Sequence, residues 1–244
     1  MESAFSTRGG YYGLKPKEFK KLVEDSGLTW RAHHALGAPF KMPPPDKMPK
    51  GADGKPISIP KMPALLTLRD DYQQLVDDAA EAGLSYLVCA STPVANMEEI
   101  NNSIEVFQKT GLAAKKAGIG FAYHNHATEF DKVESGKTPY ELVLSQTDAD
   151  LVKMELDLAW ATKAGKDPVA LFKEHPGRFP MWHAKDIKSD LQTITEVGNG
   201  VVEFKRIFEA ASIAGMKYFF IEQDMAPSME NVETGYKNMV KILA

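Results

Sequence analysis

The stretch LVKMELDLAW, residues 151–160, decides the fold. Its residues alternate: Val152, Met154 and Leu156 fall on one face, Lys153, Glu155 and Asp157 on the other. A period of two belongs to a strand, because successive side chains point to opposite sides of a sheet. Strands buried on both faces of an open parallel sheet read as unbroken apolar runs. Here one face is apolar and the other charged, which suits a closed barrel with apolar residues outward against helices and polar residues inward. Residues 216–224 agree near their end, where Phe219 and Ile221 alternate with Glu222 and Asp224.

Outward from that strand, short strand-like runs alternate with amphipathic helical runs. Upstream lie a strand stub at 2–5, a helix at 16–26 stopped by Gly27, and a strand at 28–35. A helix is predicted over 68–82, with Thr67 as N-cap and Gly83 past its end. Residues 84–91 read as a strand, and 97–117 as a long helix opened by Asn96, with Glu99 three residues on as in a capping box, and ended by Gly118. A strand at 119–126 and a helix at 139–145 lead into the strand at 151–160. After it come a helix at 168–174, entered through Asp167 and Pro168, and a strand at 179–187. A helix at 202–214 ended by Gly215, the strand at 216–224 and a helix at 229–243 after Ser228 complete the chain. Repeated βα units with short turns imply a parallel sheet with right-handed crossovers. The expectation is a single α/β domain over 1–244, a (β/α)₈ TIM barrel with only seven of its strands in view.

Residues 36–67 break the rhythm, with eight prolines and Lys-Met-Pro repeated from Lys41, Lys47 and Lys61. The segment reads either as an extended surface insertion or as a lid, since it leaves the C-terminal end of a strand, where barrel active sites lie.

Composition narrows the partners. Of 244 residues 43% are hydrophobic and 25% charged, and the net charge is -4 without a basic cluster, which argues against nucleic acid and anionic membrane. A lone cysteine, Cys89, excludes an internal disulfide. No run approaches the roughly 18 apolar residues of a membrane span. Residues 1–10 lack the apolar core of a signal peptide. Cytoplasmic and periplasmic locations both stay open, as does a homo-oligomer.

Five of six histidines fall in strand segments: His33, His34, His124, His126 and His183. Histidine is not a preferred strand residue, so the clustering points to a site. With the acidic residues at strand ends, a set emerges: His124 or His126, Asp157, His183 and Glu222. Successive separations from His124 are 33, 26 and 39 residues, about one βα unit each, so the side chains converge at one rim. Imidazole with carboxylate suits Mn²⁺, Zn²⁺, Co²⁺ or Fe²⁺ better than Ca²⁺ or Mg²⁺. Any one of these residues alone would more often be a hydrogen-bonded polar group closing a barrel mouth.

Four motifs carry a family resemblance: YHNH at 123–126 followed by Glu129 and Phe130; ELDLAW at 155–160 running into GKDP at 165–168; HAKD at 183–186; and VGNG at 197–200 leading to IEQD at 221–224. In that order they resemble the sugar phosphate isomerase/epimerase family, the xylose isomerase-like TIM barrels of the AP endonuclease 2 type. The likeness spans residue 119 to the C-terminus, about half of the chain, with GLKPKEF at 13–19 also familiar. It implies a divalent metal held by His124, Asp157, His183 and Glu222. It also implies a small sugar or polyol substrate, isomerised or epimerised through an enediolate. Glu222 is then first candidate for base as well as ligand, with His126 and Glu129 orienting substrate or shuttling protons. Lys185 would stabilise an oxyanion, unless it pairs with Asp186 or Glu155. His34 and Trp160 are candidate substrate contacts, Trp160 stacking on a sugar face or filling the core. Asp167 has a sufficient structural role as helix cap.

Two departures from the family shape the expectation. Its ketose 3-epimerases carry glutamate where this chain has His124, and the histidine resembles inosose dehydratases and lyases acting on 3-keto-sugars. The family's first strand and helix would precede the stub at 2–5, so the chain reads as truncated, with two unpaired sheet edges. Rival readings are metal-assisted phosphodiester cleavage, disfavoured by the acidic charge balance, and a non-catalytic sugar-binding barrel.

Overall fold

The computed structural model describes residues 1–8, 10–39 and 65–244. It opens with β1 (Glu2–Ala4), α1 (Pro16–Asp25), β2 (Ala32–Leu36), α2 (Leu68–Glu81), β3 (Tyr86–Ser91), α3 (Met97–Lys116) and β4 (Gly120–His124). A 3₁₀ turn at Thr128–Phe130 precedes α4 (Pro139–Gln146), β5 (Lys153–Asp157), α5 (Leu158–Lys163) and α6 (Pro168–Glu174). Then follow β6 (Met181–Ala184), a small hairpin of β7 (Asp186–Ile187) and β8 (Ile194–Thr195), α7 (Phe204–Glu209), α8 (Ala211–Ala214), β9 (Tyr218–Ile221) and α9 (Met229–Leu243).

Seven strands pair in parallel in the order β1-β2-β3-β4-β5-β6-β9. The sheet curls until its ends face each other. At one end of the barrel Glu2 of β1 meets His183 of β6 at 2.7 Å, and at the other Tyr218 of β9 meets Ser85 before β3 at 3.2 Å. This is a nearly closed α/β barrel in which β1 and β9 each have a ladder partner on one side.

Alternation sorts the side chains as the 151–160 pattern requires. Val152, Met154 and Leu156 join the large apolar layer between strands and helices. The N-terminal half of the barrel's interior holds its own apolar plug of Ala32, Tyr86, Val88, Ala122 and Met181, with Tyr218 and Phe220 against it. Gly120 is required there, since a Cβ on it would lie 2.3 Å from the Tyr86 ring. The plug leaves the C-terminal half of the interior to polar residues.

Several boundaries differ from the sequence expectation, each for a local reason. The strand at 151–160 stops at Asp157, whose Oδ1 accepts from the Trp160 amide and caps α5, so Trp160 is helical. The run at 179–187 divides because Asp186 turns the chain into the hairpin. The helix at 202–214 breaks at Ala210 into α7 and α8. Thr67 stands at the N-cap position of α2 without capping it; the Asp71 carboxylate instead accepts from the Thr67 amide, and the helix is interrupted at Asp71. Asn96 does cap α3 through the Glu99 amide, but Glu99 returns its bond to Ala95. Thr138 and Asp167 cap α4 and α6. Of the proline-rich stretch at 36–67, residues 40–64 lie outside the described residues; its flanks meet where Leu36 bridges Thr67, at the C-terminal end of β2. No described helix is long and apolar enough to cross a membrane.

Candidate metal centre

Residues on the inner face of β1, β2, β4, β5 and β6, and the residues just past β6 and β9, meet at the C-terminal end of the barrel. Glu155, central in β5 and fully buried, sends Oε2 to three imidazoles: His34 Nε2 at 2.6 Å, His124 Nδ1 at 3.1 Å and His183 Nε2 at 3.3 Å. Glu2 crosses from β1 to His183 Nε2 at 2.7 Å and His34 Nε2 at 3.0 Å. Nearer the mouth, His183 Nδ1 meets Glu222 Oε2 at 2.6 Å, and His124 Nε2 lies 4.0 Å from Asp157 Oδ2. Lys185, 2% exposed, sets its ammonium against Asp157 at 3.1 Å, Glu222 at 2.8 Å and Asp224 at 2.8 Å.

Two groups of donor atoms are compact enough to hold an ion, each with all atoms within 4.8 Å of one another: His34, His124, Glu155 and His183, and Asp157, His183 and Glu222. His183 belongs to both. The five carboxylates Glu2, Glu155, Asp157, Glu222 and Asp224 face one lysine, leaving four negative charges if every imidazole is neutral. A divalent cation would halve that excess. Among the described residues Glu2 Oε1 and Glu155 Oε1 are buried without a hydrogen bond, and Asp157 Oδ2 has only its ion pair with Lys185. Native interiors rarely leave carboxylate oxygens so, unless a ligand completes them. The donor set therefore fits a transition metal.

Protonation follows the same crowding. Burial pushes the His34 imidazolium down, but Glu2 and Glu155 outweigh it and raise its pKa to about 9. Burial likewise opposes His183, and Glu155, Glu2 and Glu222 raise it well above the ordinary value. His124 goes well below, from burial and the neighbouring His183 charge. Burial raises Asp157 despite Lys185 and His183. Glu222 falls below the carboxylate range because His183 and Lys185 overcome its burial.

Structure and sequence expectation differ in detail. Asp157, His183 and Glu222 come together, while His124 sits one step deeper, with Nδ1 on Glu155. Lys185 pairs with neither Asp186 nor Glu155. Asp186 instead accepts from the amides of Ile187, Gly198, Gly200 and Val202, so the HAKD and VGNG motifs meet in one structural latch. His34 lies inside the cluster rather than beside it. His126 is half-exposed at the mouth, its ring 5.2 Å from that of His124. Glu129, buried in the 3₁₀ turn, accepts from the His126 amide and stands 3.7 Å from its Nδ1. Despite its burial, hydrogen bonding and the nearby imidazole hold the Glu129 pKa down. Trp160 lies 6.2 Å from the His126 ring and 5.2 Å from the Lys185 ammonium, its indole N–H buried without a partner among the described residues. Glu2, Glu155 and Asp224 were not foreseen as site residues. Glu155 shares parity with Asp157 and was legible; Glu2 stands in a three-residue strand with too little pattern to read.

Residues 2–243 match the xylose isomerase-like TIM barrel family, and the chain belongs to it. Two solved sugar phosphate isomerase/epimerase structures from Parabacteroides distasonis superpose along nearly the whole chain. One is 27% identical with a TM-score of 0.72, covering 94% of this chain and 77% of its own. The other is 25% identical with a TM-score of 0.73, covering 99% and 85%. Among curated proteins, inosose dehydratase of Geobacillus thermodenitrificans is 27% identical over 158 residues, 57% of this chain and 52% of that protein. The match thus spans about half the length of that curated relative.

Proposed function

We propose that this barrel binds one divalent transition metal through His124, Asp157, His183 and Glu222 and dehydrates a keto-polyol or keto-sugar. The observation that carries the reading is the orientation of its two ligating imidazoles. Glu155 takes His124 Nδ1, leaving Nε2 directed at Asp157; Glu2 and Glu155 take His183 Nε2, leaving Nδ1 beside Glu222. Carboxylates that bind the far nitrogen of a metal-ligating histidine fix its tautomer and direction. When bound, the cation would polarise the substrate's carbonyl and neighbouring hydroxyl oxygens as a Lewis acid.

The chain's own residues then divide the proton work. His126, half-exposed and backed by Glu129, takes the proton beside the carbonyl and can return it to a departing hydroxyl. The Lys185 ammonium, 3.1 Å from Asp157 and 2.8 Å from Glu222, would offset negative charge gathering on the carbonyl oxygen. Trp160 offers its ring and its free indole N–H to the substrate. Histidine rather than glutamate at position 124, the last residue of β4, together with the likeness to inosose dehydratase, favours elimination. The second reading is isomerisation or epimerisation on the same site. It is favoured by Glu222 as a second proton carrier and by the longer likeness to the two isomerase/epimerase structures.

Elemental analysis of the purified chain beside an Asp157→Ala, His183→Ala double variant tests the metal. One transition-metal ion per chain, lost in the variant, supports the reading; none in folded protein supplied with Mn²⁺ or Zn²⁺ sinks it. Inosose in D₂O then separates the outcomes: loss of water marks elimination, and deuterium beside the carbonyl with inversion marks epimerisation.

A further inference from the structure

The interior of the barrel carries two tiers of charged groups. Asp157, Glu222, His124 Nε2 and His183 Nδ1 form the tier at the mouth. Below it lie Glu2 of β1, His34 of β2 and Glu155 of β5. His34 Nε2 stands between the two carboxylates, 2.6 Å from Glu155 Oε2 and 3.0 Å from Glu2 Oε2. Bonds of about 2.0–2.2 Å from a zinc-sized ion to nitrogen and oxygen set neighbouring donors about 3 Å apart, so these three groups need to move little to enclose one.

Two further observations point to a ligand in the lower tier. Glu2 Oε1 and Glu155 Oε1, buried without a hydrogen bond among the described residues, both belong to it. Their side chains are 9% and 0% exposed, so bulk water does not serve those oxygens. Charge gives the same answer. Five carboxylates face one lysine, and an ion at the mouth removes only half of that excess of four negative charges. A second divalent ion cancels the rest and leaves no carboxylate buried against uncompensated charge.

We infer that the barrel takes a second divalent transition metal, held by His34 Nε2 and the carboxylates of Glu2 and Glu155. The inference rests on the metal reading above, because the first ion completes the lower set. With that ion on His124 Nε2 and His183 Nδ1, their other nitrogens carry N–H groups that donate to Glu155 Oε2 and Glu2 Oε2. The Oε1 atoms then remain for the second ion. One imidazole with two carboxylates suits Mn²⁺ or Zn²⁺. Three protein ligands against four make this the weaker site, so a purified chain retains the first ion alone. Once bound, the second ion ties β1, which has a ladder partner on one side only, to β2 and β5 across the barrel.

Electron paramagnetic resonance tests the site, with Mn²⁺ titrated into the whole chain already loaded with one equivalent of Mn²⁺. A second equivalent should bind and couple magnetically to the first, since the His183 ring faces the mouth with one nitrogen and the lower tier with the other. His34→Gln and Glu2→Gln should each hold the first ion and bind the second at least about tenfold more weakly. The magnetic coupling in wild type keeps the test decisive if either variant fails to fold. A second ion that shows no coupling, or whose affinity is unchanged in the folded variants, lies elsewhere and overturns the inference. No second ion at millimolar Mn²⁺ also overturns it and leaves the first site standing. If the folded chain takes no ion at all, the metal reading falls and the inference with it.

Discussion

His33 and His34 are neighbours in β2, yet they serve two different regions of the molecule. His33 points outward into the layer between strands and helices. Its Nδ1 shares a hydrogen bond with Ser3 at 2.8 Å, and Tyr11 and Trp30 stand edge-on to its ring. His34 points inward, 2.6 Å from Glu155. Burial and the His34 charge push His33 down to about 3, while carboxylates lift His34 to about 9. The strand's period of two alone separates them. Outside, Ser3 holds one nitrogen of His33, while Nε2 is buried without a partner among the described residues. Inside, five carboxylates are crowded together and Glu2 Oε1 and Glu155 Oε1 are left open, an arrangement that costs stability and that a bound cation would relieve.

Two aspartates put that contrast to its hardest test. Asp186 spends its carboxylate on four backbone amides, at 2.8 to 3.1 Å. Asp157 caps one amide with Oδ1 and gives Oδ2 only an ion pair, to the Lys185 ammonium at 3.1 Å. Asp186→Ala strands four donors and should cost roughly 3–5 kcal/mol in urea unfolding, with a collapsed β7–β8 hairpin. Asp157→Ala should cost well under half of that while abolishing metal uptake, because it also relieves crowded negative charge. Equal losses of stability, with metal retained in Asp157→Ala, would erase the distinction between latch and site.

The pH dependence of stability sharpens the comparison at intermediate size. For His33 the unfolded chain takes a proton near pH 6.5, whereas the folded chain waits until about 3. Its contribution is therefore intact above 6.5 and lost as pH falls toward 3, at up to about 1.4 kcal/mol per unit. Between pH 7 and 5 the wild type should lose about 2 kcal/mol more than His33→Gln. For His34 in metal-free protein the sign reverses. The folded pKa is raised, so the contribution is full below 6.5 and disappears as pH rises through about 9. His34→Gln should flatten the alkaline side only. Parallel pH profiles for the two variants would show that the faces do not differ electrostatically.

How much of this was legible follows the same division. The alternation at 151–160 was enough to assign a barrel and its inner face, because a long-range sheet leaves a local period. The ends of elements were less legible. A carboxylate at a strand end can also cap the next helix, and nothing in ELDLAW says that Asp157 does both. Spacing of about one βα unit implied that Asp157, His183 and Glu222 converge, and their donor atoms lie within 4.8 Å of one another. The sharing of three imidazoles by Glu155, and the crossing of Glu2 from β1, depend on barrel curvature, which no local pattern encodes. HAKD and VGNG carried the family resemblance, with Asp186 considered only as a partner for Lys185. Asp186 and Gly200 prove structural: a Cβ at Gly200 would sit 2.2 Å from Asp186 Oδ1, so the loop closes only with glycine there.

The smallest expected effect is a control on orphaned polar atoms. Among the described residues Thr67 Oγ1 is buried without a partner, as Glu155 Oε1 is, but it lies at the start of α2, away from the cluster. If orphaned oxygens inside the barrel are there for a ligand, one outside it is a plain cost, and removing it should be harmless. Thr67→Val keeps the shape and deletes the hydroxyl, so stability should stay within about 0.5 kcal/mol of wild type or rise. Asn96 sets the scale, since its side chain does cap α3 and Asn96→Ala should lose about 1 kcal/mol. Both are read from urea midpoints at constant slope. A loss of 1 kcal/mol or more from Thr67→Val would mean that its hydroxyl has a partner, and the outer layer would then contain no orphan at that helix start to set against those of the candidate metal centre.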